Sequence, residues 1–533
     1  MTTEAKEIIF GEEALQHLKV GVDTLTKVVG YTLGPKGRNA AIEKSWGAPK
    51  ITNDGSSIVT EIELKETAAN LGVSLGKELA QKMKESCGDG TSTATLLFGA
   101  LVNEGIKQVC SGTAPNALKR GMEKGLEEIL KNLDKLSIPI KNQDDIRNIA
   151  TVSASGNTEI GQIIAQAIEK VGLQGVITIE EAKTTETTIE VVEGMQLERG
   201  YLSSHLCTNR DKMQVVYENV KVLLYDKKIS NIHELLPILQ VVAATRAPLL
   251  IIAEDIEGDA LSTLVVNKLR GALQVAAIKA PGFGDRRKAI LEDLAALTGA
   301  TLISQEMGLE LANAKAEHLG EVGSLTITKE HTTLINGKGK KEAIVARIKI
   351  IEAEAERASS SYDKEKAQER KAKLGGGVAV IRVGAATEPE LKERKQRFED
   401  SLNSTKAAIE SGIVAGGGVA LIRAAEQTLT SLKLSDEEAT GLRVLQRACQ
   451  MPLKQIANNS GEDGSVIVQK VLAAKPHFGF NAITGDIEDL LKAGVIDPVK
   501  VVKNAIVLAV SMASVILITR ALIINAKEEE IEE

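Results

Sequence analysis

The sequence predicts a mixed α and α/β protein, on three observations. Apolar residues recur at three- and four-residue steps near the start of the chain, and its last hundred residues are again helix-forming. Short apolar runs alternate with helical segments in the middle. Breaks at Pro139, Gly194, Gly377 and Gly412 separate these regions. At 533 residues the chain has room for roughly three domains of ~150 residues each.

Taken in order, Leu15, Leu18, Val22, Leu25 and Val29 mark one face of a helix over 12–31. It stops at Thr32-Leu33-Gly34-Pro35-Lys36-Gly37-Arg38, where the glycines permit close approach of a ligand and Lys36 and Arg38 add positive charge. A short strand pair is expected at 40–42 and 51–52, closing in an acidic glycine turn, Asn53-Asp54-Gly55-Ser56-Ser57. Residues 62–135 read as helical with a break at Gly88. Strands are expected at 176–179 and 188–192. Further strands at 222–225, 249–252 and 275–278, separated by helices over 232–242 and 258–271, predict an α/β layer with a parallel sheet. The charged stretch 340–374 reads as an exposed helix, with Asp363/Lys366 and Glu369/Lys373 at pairing distance along it. A strand then follows Gly375-Gly376-Gly377. Next come a charged helix over 389–411 that carries Asp400, a glycine turn at Val414-Ala415-Gly416-Gly417-Gly418, and helix to Asn525. The final Lys527-Glu528-Glu529-Glu530-Ile531-Glu532-Glu533 reads as a solvated acidic tail.

Composition narrows the function classes. A net charge of −7 and 2% aromatic residues argue against an extended nucleic-acid surface, which needs clustered cations and stacking rings. The four cysteines, Cys87, Cys110, Cys207 and Cys449, form no CxxC pair, which fits a reducing compartment and a cytoplasmic protein. The first residues, with two acids ahead of any apolar run, do not resemble a secretory signal. The apolar run 505–519 falls short of the ~18 residues of a membrane span and reads as a core helix, so no membrane partner is expected.

The most chemically pointed stretch is Gly88-Asp89-Gly90-Thr91-Ser92-Thr93-Ala94-Thr95. Glycines frame an acid just before a helix begins, so backbone N–H groups would face an anion. An acid among phosphates needs an intervening cation, which makes Asp89 a candidate Mg²⁺ ligand. Ordinary helix capping fits these eight residues equally well.

Six stretches in the right order resemble the group I chaperonins, the ring-forming protein-folding ATPases. They are Thr32-Leu33-Gly34-Pro35-Lys36-Gly37-Arg38-Asn39, the Gly88–Thr95 segment, Asp226-Lys227-Lys228-Ile229-Ser230, Pro248-Leu249-Leu250-Ile251-Ile252-Ala253-Glu254-Asp255, Ala280-Pro281-Gly282-Phe283-Gly284-Asp285-Arg286-Arg287, and Val414-Ala415-Gly416-Gly417-Gly418-Val419-Ala420. The resemblance spans almost the whole chain. It implies a three-domain chaperonin fold with a helical equatorial domain (1–138 and 412–533), a small intermediate domain (139–193 and 377–411) and an α/β apical domain (194–376). It also implies seven-membered rings, commonly stacked in pairs, a co-chaperonin lid, and non-native polypeptides as substrates.

By motif, the resemblance implies ATP and Mg²⁺ as cofactors, with K⁺ a further candidate cation. Thr32, Leu33, Gly34, Pro35 and Asn53 would contact nucleotide, Asp89 would hold Mg²⁺, and Gly90, Thr91, Ser92 and Thr93 would cradle phosphates. Gly417, Asn481, Ala482, Val495 and Asp497 would line the adenine and ribose side. Asp400 would activate the attacking water, with Asp54 assisting. Tyr201, His205, Leu206, Leu236, Leu239, Leu261, Val265 and Val266 would form an apolar capture groove between two helices, Leu236/Leu239 and Leu261/Val265 sharing helical faces, although a core stripe is the usual meaning of such spacing. Several positions depart from the pattern: His205 replaces an aromatic, Ser92 a threonine, Asn53 a lysine and Ser56-Ser57 a Val-Thr pair. The Gly-Gly-Met tail is missing. These departures raise a second reading, a specialised assembly or binding scaffold with limited folding activity. A small-molecule kinase is a third, disfavoured because no GxxxxGK[ST] sequence is present.

Overall fold

The computed structural model describes residues 5–44, 49–140, 142–154, 156–173, 175–182, 184–210, 212–358, 360–428 and 432–525. The expected acidic tail lies outside them. The chain forms two compact units, one of residues 1–166 with 385–533 and one of residues 167–384. Both crossings fall inside the stretches expected to form an intermediate domain.

The first unit is helical. Gly11–Gly30, Thr67–Cys87, Thr91–Cys110, Pro115–Leu136, Asp436–Cys449 and Val499–Ile518 pack around a common aliphatic core that includes Leu18, Val22, Met83, Leu97, Phe98, Leu445 and Ile506. The Val499–Ile518 helix has 20 residues, longer than the apolar run suggested, and is apolar enough to cross a membrane. Its burial assigns it instead to the core, where Ala505, Ile506, Ala509, Ala513 and Ile516 are inaccessible to solvent.

Three expectations about this unit need correction. The stretch 62–135 contains a second break, at the Ser111 cap ahead of Pro115, and it is preceded by an unforeseen helix, Gly55–Glu61. The C-terminal region is not uniformly helical: Phe478–Phe480 pairs with Ile487–Asp489, and Ile496–Pro498 pairs with Ile413–Ala415. Finally, Ala521–Asn525 is a strand, antiparallel to Lys6–Phe10. Alternating burial on Ala521–Asn525 is the two-residue period of a half-buried strand, which a five-residue segment displays too briefly to stand out beside a long helix.

In the second unit a seven-stranded sheet has the order Val275–Lys279, Leu249–Ala253, Val215–Tyr225, Gly320–Ile327, Thr332–Gly337, Gly194–Leu197, with Leu302–Ile303 also on Val215–Tyr225. The first three strands are parallel, as the alternation predicts, but the sheet continues antiparallel through Gly320–Ile327 and beyond. The expected strand at 222–225 is the buried end of an eleven-residue strand whose first half alternates between exposed and buried positions. That longer strand supplies the antiparallel edge. A smaller sheet sets Val378–Val383 between Val176–Glu181 and Thr188–Val192.

The charged stretch 340–374 forms two helices, Lys341–Arg357 and Ser361–Gly375. The expected pairs along it are replaced: Asp363 accepts from Arg286 at 2.6 Å, Lys366 pairs with Glu369 at 2.8 Å and Lys373 with Glu198 at 2.7 Å. Nor is it wholly exposed. Arg347 and Arg370 both reach Asp293, which is 1% exposed, each at 2.7 Å. A buried carboxylate needs such partners, and here it clamps both helices to the domain core.

Candidate nucleotide site

The helix Thr91–Cys110 starts at Gly90, whose φ of +84° is left-handed and whose added Cβ would strike Val501 and Met83. Among the described residues no side chain caps this helix, so its first N–H groups are left for another acceptor. The helix Gly55–Glu61 begins beside it. A Cβ on Gly55 would lie 2.3 Å from Ser92 Oγ, so glycine at 55 leaves the Ser92 hydroxyl its place where the two N-termini meet. Asp54 caps the shorter helix, accepting from Ser56 N at 3.2 Å and Ser57 N at 2.9 Å.

Asp89 and Asp400 join Asp54 at this point. Asp400 lies on the helix Glu388–Ser411, where Gln396 Nε2 donates to its Oδ1 at 2.7 Å. Burial, then the charges of Asp54 and Asp89, push the Asp400 carboxyl well above the usual carboxylate range. The Asp89 carboxyl is also raised, chiefly by burial and slightly by Asp54, although the Gly90 N–H and the hydroxyls of Ser404 and Ser153 oppose the rise. These carboxylates repel one another, and the Lys84 ammonium offsets the repulsion on Asp400 only in small part, the condition a bound cation relieves. No group of three or more His, Cys, Asp or Glu is placed to hold a metal alone among the described residues. That suits Mg²⁺, which commonly takes one or two carboxylates and completes its shell with phosphate oxygens and water.

The Thr32–Pro35 loop is held from behind. Asn459 Nδ2 donates to Gly30 O at 2.9 Å and Leu33 O at 2.8 Å, and the Thr32 hydroxyl donates to Val29 O at 2.8 Å. Gly34 and Gly37 are needed here for protein contacts, since their Cβ atoms would meet Ile456 and the Thr32 carbonyl. Leu33 packs into one apolar cluster with Ala415, Phe480, Ala482 and Val495. Beside it the Gly416–Gly418 turn follows Ala415, and the Gly417 N–H points to Asp497. Burial and then Asp89 raise the Asp497 carboxyl to about 6. Asn481 Nδ2 donates to Glu488 at 2.7 Å. Thus Leu33, Ala482 and Val495 share one cluster, Gly417 meets Asp497, and Asp497 lies close enough to Asp89 to feel its charge. Asn53 is half-buried next to Asp54.

Sequence reasoning missed Gln396, Asn403 and Ser404. All lie within one turn of Asp400 on its helix, and the i±4 and i+3 spacings were the available signal. Asn403 presses on the Gly88 turn, where a Cβ would come 2.3 Å from its Nδ2.

The expected capture groove is only partly assembled. Leu236 and Val266 are exposed, Tyr201, Leu261 and Val265 are half-buried, and His205 is exposed. Leu206 and Leu239 instead belong to the core, at 0% and 7% exposure. Leu239 turns inward with Leu235, Ile238 and Val242, so it does not share the outward face of Leu236. Leu269, which sequence reasoning overlooked, is 55% exposed one turn beyond Val265.

The chain belongs to the TCP-1/cpn60 chaperonin family, which its residues 25–527 match. It is 58% identical over 527 residues to chaperonin GroEL 3 of Protochlamydia amoebophila (strain UWE25), covering 99% of this chain and 98% of that one. Its fold is similar to the crystal structure of the chaperonin gp146 from the bacteriophage EL 2 (Pseudomonas aeruginosa), obtained in the presence of ATP-BeFx. There the TM-score is 0.69 at 22% identity, over 98% of this chain and 99% of the other. The fold is therefore mixed α and α/β, of the three-domain chaperonin type.

Proposed function

We propose that the protein is an ATP-hydrolysing chaperonin subunit that assembles into seven-membered rings, captures non-native polypeptides and releases them in a chamber closed by a co-chaperonin. The observation that carries this reading is the meeting of Asp54, Asp89 and Asp400 at the uncapped start of the Thr91–Cys110 helix. The helix N–H groups would receive phosphate, Asp89 would share Mg²⁺ with it, and Asp400 would take a proton from the attacking water. Bound Mg²⁺ would neutralise phosphate charge. Thr32, Leu33, Gly34, Pro35 and Asn53 would border the phosphates, and Asn481, Ala482, Val495 and Asp497 the base and sugar.

The three-domain partition at 138/139, 193/194, 376/377 and 411/412 is part of this proposal, as is paired stacking of rings. The unpaired cysteines support a cytoplasmic site of action. The burial of Leu206 and Leu239 and the exposed His205 favour the second reading, a scaffold with a narrowed capture surface.

Electron images of particles with and without ATP, together with steady-state ATPase measurements, test the proposal. Rings and Mg²⁺-dependent hydrolysis are expected, and Asp89→Ala should weaken Mg-ATP binding itself. Absence of rings, or equal calorimetric affinity for Mg-ATP in Asp89→Ala, would overturn the corresponding part. ATP hydrolysis without suppression of client aggregation would select the scaffold.

A further inference from the structure

Two helices of the first unit are joined by hydroxyls directly behind the proposed metal ligand. Ser401 Oγ on Glu388–Ser411 donates to Ala150 O on Gln143–Ser153 at 2.7 Å, and Ser153 Oγ donates to Ser404 Oγ at 2.6 Å. Ser404 is completely buried. It lies one helical turn beyond Asp400 on the same helix, so the residue proposed as base and this hydroxyl share one face. Asn403, next to Ser404, presses on the Gly88 turn that leads into Asp89, and both serine hydroxyls act on the Asp89 carboxylate, opposing the rise that burial imposes on it. Simple helix packing needs only one of these contacts. With the Ser153 proton given to Ser404, the Ser404 proton is the one left for a carboxylate, so the pair can act as a relay from Gln143–Ser153 through Ser404 to Asp89.

We infer that Ser153 and Ser404 are positioning residues for Mg²⁺-nucleotide. Asp89 Oδ1 already accepts from Gly90 N at 2.6 Å, and the Ser153–Ser404 relay would fix the rest of the carboxylate for Mg²⁺ and tie its orientation to the helix that carries Asp400. This inference rests on the nucleotide reading above. Carboxylate ligands commonly depend on such outer partners, whose loss weakens metal affinity by about 10-fold or more. The arrangement gives the site a mechanical link. If the Glu388–Ser411 helix shifts, Ser404 moves with Asp400, and the Asp89 carboxylate loses a donor at the same moment as the site loses its base.

The test is nucleotide affinity of the assembled full chain for ADP, by calorimetry, with Mg²⁺ and with a chelator in its place. The ratio of the two affinities isolates the metal from general folding. Ser153→Ala and Ser404→Ala should each lower this ratio by about 10-fold. The double variant should lose little more than either single one, because the hydroxyls act as a unit. Ser153→Thr, which retains the hydroxyl at a half-buried position, should keep the wild-type ratio. If Ser404→Ala fails to assemble, Ser153→Ala and Ser153→Thr still carry the test. A lowered melting temperature with an unchanged ratio would assign the serines to helix packing alone and overturn the inference. A wild-type protein with no Mg²⁺-dependent affinity would overturn the nucleotide reading and this inference with it. A Mg²⁺-dependent wild type whose alanine variants keep the full ratio would overturn this inference only.

Discussion

Gly55 and Ser92 stand so close that a single methyl group on Gly55 would lie 2.3 Å from the Ser92 hydroxyl. The nearest other atoms, Ser92 N and Cβ, are at 3.3 and 3.4 Å, so the hydroxyl is the main obstacle. Gly55→Ala should therefore separate the two helix starts, at a cost of about 1–3 kcal/mol from overpacking, and weaken nucleotide binding. Adding Ser92→Ala should recover part of the stability. Thermal unfolding of the singles and the double checks this, and a double variant no more stable than Gly55→Ala would place the clash elsewhere.

Asp400→Ala should leave nucleotide affinity nearly intact while lowering hydrolysis on the order of 10²-fold or more, as expected for loss of a general base. Removing one of three mutually repelling carboxylates also relieves strain, so this variant should unfold at a temperature no lower than wild type without nucleotide. Unchanged turnover in single-turnover assays would remove Asp400 from the base role.

Asp497 gives a pH dependence with a defined sign. Its carboxyl is raised from 3.8 to about 6 in the folded protein, so the folded state keeps a proton that the unfolded chain has already released. Stability from this group is present in acid, is lost as pH rises from about 3.8 to about 6, and is flat above that window. Asp497→Asn should accordingly raise the melting temperature of the nucleotide-free protein at pH 8, with the advantage shrinking as pH falls below 6. Nucleotide affinity should drop in the same variant, because one of two sugar-side carboxylate oxygens becomes an NH2 donor. A melting advantage that grows in acid would contradict the burial argument.

His205→Phe should strengthen capture of a denatured client, since the exposed ring would add apolar area on the Ser204–Leu206 turn, which packs on the Gly258–Leu269 helix that carries the exposed Val266 and Leu269. Suppression of aggregation measures this, with ring assembly followed separately. No gain would mean that capture does not use this surface.

The sequence was most readable where periodicity ran long or where glycine and acid coincided. The helices Gly11–Gly30 and Glu388–Ser411 and the Gly88–Gly90 turn match their expectations because each is specified by residues close in sequence. The strands Lys6–Phe10 and Ala521–Asn525 did not announce themselves, because each depends on a partner more than five hundred residues away. The same limit applies to the site. Asp89 could be singled out from its neighbours, whereas the Ser153–Ser404 pair beside it exists only because Gln143–Ser153 packs on Glu388–Ser411. Leu239 was misjudged because helical spacing alone does not say which face is inward.

The pairing of Lys6–Phe10 with Ala521–Asn525 has a consequence for how the molecule is made. The unit of residues 167–384 is continuous and can close while the chain is still being synthesised, whereas the helical unit is split between the two ends. Its first 166 residues must wait on the ribosome for Val499–Ile518 and for the strand that follows. Until then the apolar face that this helix later covers stays open, so a protein proposed to shelter other chains would itself have an exposed core for nearly the whole of its own synthesis.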